Sequence, residues 1–157
     1  MRQVTSADGT PIAVFETGAG DPVVIVNGAF STAHDAEGLA HALAEGGFRA
    51  VTYDRRARGE SGDTPPFTPQ REAEDLAAVI ASTGAESAVL GHSSGAVLAL
   101  FAASLGTPVR HLFLSEPPFH FGERDPAPDF VDRLQAAVDE GRMADAVMLF
   151  QREGVGL

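Results

Sequence analysis

The chain has 157 residues, 44% of them hydrophobic, which is the length of one ordinary domain with apolar material enough for a core. It has no cysteine, which excludes disulfides, zinc–thiolate sites and thiol catalysis, and its formal net charge of −11 disfavours nucleic-acid phosphates and anionic membrane surfaces as partners. Arg55, Arg56 and Arg58 form the only basic cluster. The start, MRQVTSADGT, lacks the apolar run of a secretory signal, so a cytoplasmic protein acting on a small molecule is expected.

Along the chain, strand-like and helix-like runs alternate. GTPIAVFETG (9–18) reads as an early strand closed by the turn GAGDP, and PVVIVNG (22–28) as a short charge-free strand buried on both faces. STAHDAEGLAHALAEGG (31–47) reads as a helix, with Thr32 and Asp35 at capping-box spacing and Gly46-Gly47 ending it. FRAVTYD (48–54) is the next strand. Thr68-Pro69 offers an N-cap and a first-turn proline to a helix running to about Gly84, where Glu72, Glu74 and Asp75 suit the positive end of the dipole. SAVLG (87–91) reads as strand, SGAVLALFAASLG (94–106) as helix and VRHLFLS (109–115) as strand. No Asp, Glu, Lys or Arg occurs between Glu86 and Arg110, but the GHSSG interruption splits that run into a strand and a helix, unlike a membrane span. The order is read as β-β-β-α-β-α-β-α-β, with ranges given to only two of the strands ahead of the first helix, an α/β fold with a largely parallel sheet and helices on both faces. Such sheets bind ligands at the carboxyl ends of their strands.

After EPPFHFGERDPAPD the character changes. Phe130, Val131, Leu134, Ala137 and Val138 share one helical face, and Met143, Val147 and Phe150 repeat the spacing, so 121–157 reads as the start of a helical lid on a core of 1–120.

Gly91, Ser93 and Gly95 satisfy G-x-S-x-G where a strand turns into a helix. That turn aims a serine oxygen at the carboxyl edge of the sheet and points the Ser94 N–H into the helix N-terminus, so Ser93 is the expected nucleophile and Ser94 an oxyanion donor through its backbone. The plainer reading is a glycine-rich turn. In VIVNGAFST, Asn27-Gly28-Ala29 ends the preceding strand, and the Ala29 N–H is the expected second oxyanion donor, although Asn-Gly is also a common turn. His92 and Ser94 side chains are expected to serve packing.

With VIVNGAF, YDRRARGESGDT, GHSSG and LSEPPF in place, the chain resembles the α/β-hydrolase superfamily over essentially its whole length. VIVNGAF stands where that family often has His-Gly, and YDRRARGESGDT resembles its D-x-R-G-x-G-x-S turn with Ala57 in place of the usual glycine. In that turn Asp54, Arg55 and Arg58 are expected to pin a loop. The resemblance implies a serine nucleophile without cofactor or metal, an acid after a seventh strand and a histidine after an eighth. Neither strand is expected here, so the chain is expected to be the N-terminal part of that fold, with acid and base positions beyond Leu157.

Substitutes within the chain are Glu116, at the end of the sixth strand, where some relatives such as haloalkane dehalogenases place an acid, and His34 and His120, in loops expected to face the site. Glu116 also reads as a lid hinge, and either histidine as a pocket wall. His41, on a helix, and His111, on a strand, read as structural, and Phe30, Phe119 and Phe121 as apolar walls. Two functions remain open. One is hydrolysis of a carboxylic ester, thioester or lactone through an acyl-serine, or perhydrolysis by the same groups. The other is a catalytically inactive binding module or fragment, whose open sheet edge and exposed apolar surface would call for a second copy or a complementing chain.

Overall fold

The computed structural model describes residues 1–119, 122 and 125–155. Its strands are β1 (Arg2–Thr5), β2 (Pro11–Gly18), β3 (Pro22–Val26), β4 (Arg49–Tyr53), β5 (Ala88–His92) and β6 (His111–Ser115). Its helices are α1 (Glu37–Glu45), α2 (Pro69–Ser82), α3 (Ser94–Ser104), α4 (Phe130–Asp139) and α5 (Met143–Leu149). The six strands form one sheet in the order β1-β2-β4-β3-β5-β6. β1, β2 and β4 pair antiparallel in succession, while β4, β3, β5 and β6 run parallel, so the sheet is mixed with a parallel centre.

The chain winds from β3 through α1 to β4 on one side, then through α2 back past β3 to β5 on the other. The winding reverses direction at β3, and sheets wound this way place their ligands at the carboxyl ends of the strands beside the reversal, here β3 and β5. Alternation along the strands supplies both faces. Val24, Val26, Val51 and Val89 pack with Leu76, Val79 and Ile80 of α2 and Leu98, Ala99 and Ala102 of α3. Ile25 and Ala50 turn the other way, onto Ala36 and Ala40. All five residues of β3 are buried, which accounts for its charge-free run. Each fully buried valine or leucine contributes about 1.5–3 kcal/mol.

The helix expected over 31–47 is divided: a 3₁₀ turn, Ala33–Ala36, precedes α1. Thr32 and Asp35 do close the N-terminus, the Asp35 carboxylate accepting the Thr32 N–H at 2.8 Å and its hydroxyl at 3.1 Å. Thr68 Oγ1 accepts the Arg71 N–H at 3.3 Å and caps α2 as its sequence implies. Two of the acidic residues read as suiting the helix dipole have a different use. Glu72 and Asp75 face inward, 6% and 1% exposed, and hold buried arginines.

β6 pairs with β5 alone among the described residues and is exposed along most of its length, with Phe113 56% exposed. α3 is apolar around its circumference, yet Leu100 on it and Leu105 just past its end are exposed. No helix among the described residues is long and apolar enough to cross a membrane.

The residues divide into two compact units, Met1–Pro117 and Pro118–Leu157. In the second, α4 and α5 bury Phe130, Ala137 and Ala146, and a π-helical turn, Phe150–Val155, follows α5. Arg133 of α4 pairs with Glu153 of that turn and, at 3.2 Å, with Asp129.

Candidate active site

The stretch VLGHSSGAVLAL folds as a strand, a one-residue elbow and a helix. Ser93 adopts φ 53°, ψ −124°, a conformation that suits glycine, and its N–H donates to the Ser115 carbonyl of β6 at 2.8 Å. The flanking glycines have a steric cause. A Cβ at Gly91 would lie 2.5 Å from Ala96 Cα, and one at Gly95 would lie 2.1 Å from the Val26 carbonyl oxygen. Without side chains there, α3 starts hard against the ends of β5 and β3. The loop leaving β3 is thereby drawn to the serine: a Cβ on Gly28 would stand 3.1 Å from Ser93 Cβ.

Backbone strain concentrates at this edge. Among the described residues, those with positive φ other than glycine are Phe30 (59°), Ala57 (62°), Ser93 (53°) and Glu116 (49°), one in each loop leaving the parallel strands β3, β4, β5 and β6. Such strain persists where the surrounding structure over-determines it, and it clusters at functional sites. Ala57 bears it at the position where the resembling turn carries glycine. Gly59, at φ 49°, makes room for the Asp54 carboxylate, which a Cβ would approach to 2.1 Å.

The loop after β3 is held by the loop after β4. Asp54 Oδ1 accepts the Ala33 N–H at 2.7 Å, and Oδ2 accepts the Glu60 N–H at 2.9 Å. Arg55 donates through Nη1 to the Asn27 carbonyl and to Ser94 Oγ, both at 3.1 Å, while Nε and Nη2 form a two-pronged pair with Glu72 at 2.7 and 2.8 Å. Arg58 donates to the Gly28 carbonyl at 2.7 Å and to the Ser31 carbonyl at 3.3 Å. Asn27 completes the brace, its side-chain amide donating to the Thr32 carbonyl at 2.6 Å. Arg56, with no exposure, turns away to Asp75 and Asp8. Arg55 and Arg56 are therefore internal struts, not a basic surface patch.

Burial draws the Arg55 guanidinium toward neutrality, but the hydrogen bonds and charge of Glu72 outweigh it and the group ends above its ordinary value. Arg58 shifts the other way, lowered by burial and by the positive charge of Arg55, and no carboxylate among the described residues lies within ion-pair distance of it.

The expected site residues are distributed as follows. Ala29 lies in the loop beside Ser93, Ser94 is the first residue of α3, and neither backbone N–H is taken up by a hydrogen bond among the described residues. Glu116 directly follows Ser115, the residue that binds the Ser93 N–H. His34 lies on the 3₁₀ turn with its ring 2.7 Å from Glu37, whose hydrogen bond and charge raise its pKa. It lines a cavity of about 480 Å³ with Thr32, Glu37, His41 and Asp54, and Ser93 is not part of that lining. His41 is on α1 and His111 on β6. His92 faces Ser115, its Nδ1 3.2 Å from Oγ. His120 and Phe121 lie outside the described residues. No imidazole hydrogen-bonds the Ser93 hydroxyl among the described residues, and none of their His, Asp and Glu side chains form a group of three or more that could hold a metal ion.

Arg55 pins the loop after β3 as its turn implied, whereas Glu72, the carboxylate that holds Arg55, is the part of the site whose role the sequence hid. The signal was present: Glu72, Asp75, Leu76 and Val79 follow the i, i+3, i+4, i+7 rule of a buried stripe.

A strained serine between a parallel strand and a helix, beside a braced loop whose Ala29 N–H has no hydrogen-bond partner among the described residues, defines the class of α/β folds that present a serine at an elbow. The comparisons identify the family of the fold. A sequence model of the alpha/beta hydrolase family matches residues 23–155. An alpha/beta hydrolase from Sphaerobacter thermophilus superposes with a TM-score of 0.95 at 48% identity, covering 99% of this chain and 61% of that one. An esterase from Exiguobacterium antarcticum shares the fold at 23% identity, with a TM-score of 0.76 over 95% of this chain and 58% of its own. A non-heme haloperoxidase from Rhodococcus erythropolis is 33% identical over 97 residues, 60% of this chain and 35% of the relative. The chain belongs to the alpha/beta hydrolase family. It spans 61% of the Sphaerobacter protein and about a third of the haloperoxidase.

Proposed function

We propose that these residues carry the nucleophile and oxyanion groups of a serine hydrolase acting on a carboxylic ester, thioester or lactone. Ser93 Oγ attacks the acyl carbon while a general base takes its proton, and the carbonyl oxygen becomes an oxyanion facing the Ala29 and Ser94 N–H groups. The bond to the leaving oxygen or sulfur then breaks as the base returns the proton to it. Water, deprotonated by the same base, attacks the acyl-serine and releases a carboxylic acid and free Ser93. We assign the base to a histidine and its partner to a carboxylate in the part of the relatives' length that these 157 residues do not span.

The observation that carries this reading is the Ser93 elbow, set against a loop whose Ala29 N–H has no partner of its own among the described residues. Hydrogen peroxide in place of water would make the same groups a perhydrolase, a reading favoured by the haloperoxidase relative. A binding module without turnover is favoured by the absence of an imidazole on Ser93 among the described residues. Hydrolysis of p-nitrophenyl butyrate by the full protein separates them. Turnover lost in Ser93→Ala supports acyl-serine hydrolysis, a peracid product formed from peroxide and acetate points to perhydrolysis, and no Ser93-dependent turnover sinks both enzymatic readings.

A further inference from the structure

Arg58 is a half-buried cation that spends its hydrogen bonds on backbone carbonyls of one loop, those of Gly28 and Ser31. A guanidinium held this way, without a carboxylate within ion-pair distance among the described residues, is a poor device for stability, because no direct ion pair repays its desolvation and the more distant Glu72 charge does not outweigh it. It is a good device for fixing a peptide plane. In a trans peptide the C=O and N–H vectors point in opposite directions, so a donor 2.7 Å from the Gly28 carbonyl dictates where the Ala29 N–H points. The Gly28 Cα is already packed beside Ser93, with space for a Cβ only 3.1 Å from Ser93 Cβ. One residue earlier, Arg55 holds the Asn27 carbonyl in the same manner and also touches Ser94, so the two arginines fix consecutive peptides of the loop.

We propose that Arg58 is a positioning residue for the oxyanion site: its grip on the Gly28 and Ser31 carbonyls turns the Gly28–Ala29 peptide so that the Ala29 N–H faces the acyl oxygen on Ser93. This rests on the acyl-serine reading above. Arg58 acts through the backbone and does not touch the substrate. Its lowered pKa fits a desolvated cation used for geometry, and the positive charge beside the loop also favours the oxyanion over the neutral carbonyl.

The test uses the full protein as wild type, Arg58→Met, Arg58→Lys and Ser93→Ala, with p-nitrophenyl butyrate kinetics and a crystal structure of Arg58→Met. Loss of a whole oxyanion donor lowers kcat by roughly 100- to 1000-fold, so a misdirected one is expected to lower it by roughly 10- to 100-fold with KM within about twofold. Arg58→Lys, whose ammonium can still reach one carbonyl, is expected to recover part of the loss, and the Arg58→Met crystal to show the Gly28–Ala29 peptide rotated. A kcat within about threefold of wild type, a change confined to KM, or an unrotated peptide would each overturn the proposal. If Arg58→Met does not fold, Arg58→Gln is taken through the same kinetics and crystallography and judged by the same outcomes. Turnover that survives in Ser93→Ala defeats the acyl-serine reading alone, and the orientation of the Gly28–Ala29 peptide is then decided by the crystal structure.

Discussion

Replacing Ser93 by glycine is expected to make the protein more stable. At φ 53°, ψ −124° a residue with a Cβ is strained by about 1–3 kcal/mol, and glycine removes that strain. Glycine also frees the unfolded chain, which costs about 0.5–1 kcal/mol, and the half-buried Ser93 side chain gives up only a small contact with the Gly28 loop. The balance is a gain of about 1 kcal/mol, which at this chain length raises Tm by roughly 2–4 °C. Ser93→Ala keeps the Cβ and therefore the strain, so it should stay within about 0.5 kcal/mol of wild type. Chemical denaturation of the three proteins, with equal m-values, reads the difference between glycine and alanine directly. In an ordinary position glycine is the less stable of the two, by about 0.5–1 kcal/mol; that order here would refute the strained elbow.

Three further outcomes follow from the braces and the turns. Glu72→Leu strands the Arg55 guanidinium, 7% exposed, and should destabilise the fold by about 3–5 kcal/mol in urea melts, whereas Arg55→Met combined with Glu72→Leu should recover most of the loss. Gly95→Ala drives a methyl group into the Val26 carbonyl, a backbone atom with little room to yield, and should cost about 3 kcal/mol or prevent folding; a neutral result would mean that α3 does not start where it is described. The pKa of His34 is raised by Glu37, so its stabilising contribution is full below the ordinary value of 6.5 and is lost as pH rises through the elevated folded value. Asp35 is lowered from 3.8 by the Thr32 N–H and hydroxyl, so its contribution is present above that value and disappears as pH falls through the depressed one. NMR titration should find the His34 midpoint falling in Glu37→Gln and the Asp35 midpoint rising in Thr32→Ala.

Much of the sheet was legible because its strands are short β-branched runs between turn residues, and PVVIVNG announced a central strand by having no charge at all. Arg2–Thr5 carried no such mark, since a four-residue outer strand with a single buried-facing valine, Val4, has too few positions for a period to emerge. The elbow was legible because its glycines are demanded by contacts local to the motif and to the neighbouring strand. That Asp54, Arg55 and Arg58 pin a loop was legible from their turn, but the partners of the brace were not, because Arg55 meets Glu72 across 17 residues and Ser94 across 39, and pairing over such separations depends on the sheet being folded. Arg55, Arg56 and Arg58 looked alike as a basic cluster. Folding gives them three different sets of partners: a helix carboxylate, an acidic pair of buried Asp75 and half-buried Asp8, and two loop carbonyls.

The central claim is that Ser93 forms a covalent bond to an acyl or phosphonyl centre. The direct measurement is intact-mass spectrometry of the full protein after incubation with a fluorophosphonate, followed by peptide mapping. One adduct per chain on the peptide containing Ser93, absent in Ser93→Ala and slowed in Arg58→Met, is the predicted result. An unmodified wild-type protein, or an adduct that persists in Ser93→Ala, would contradict it.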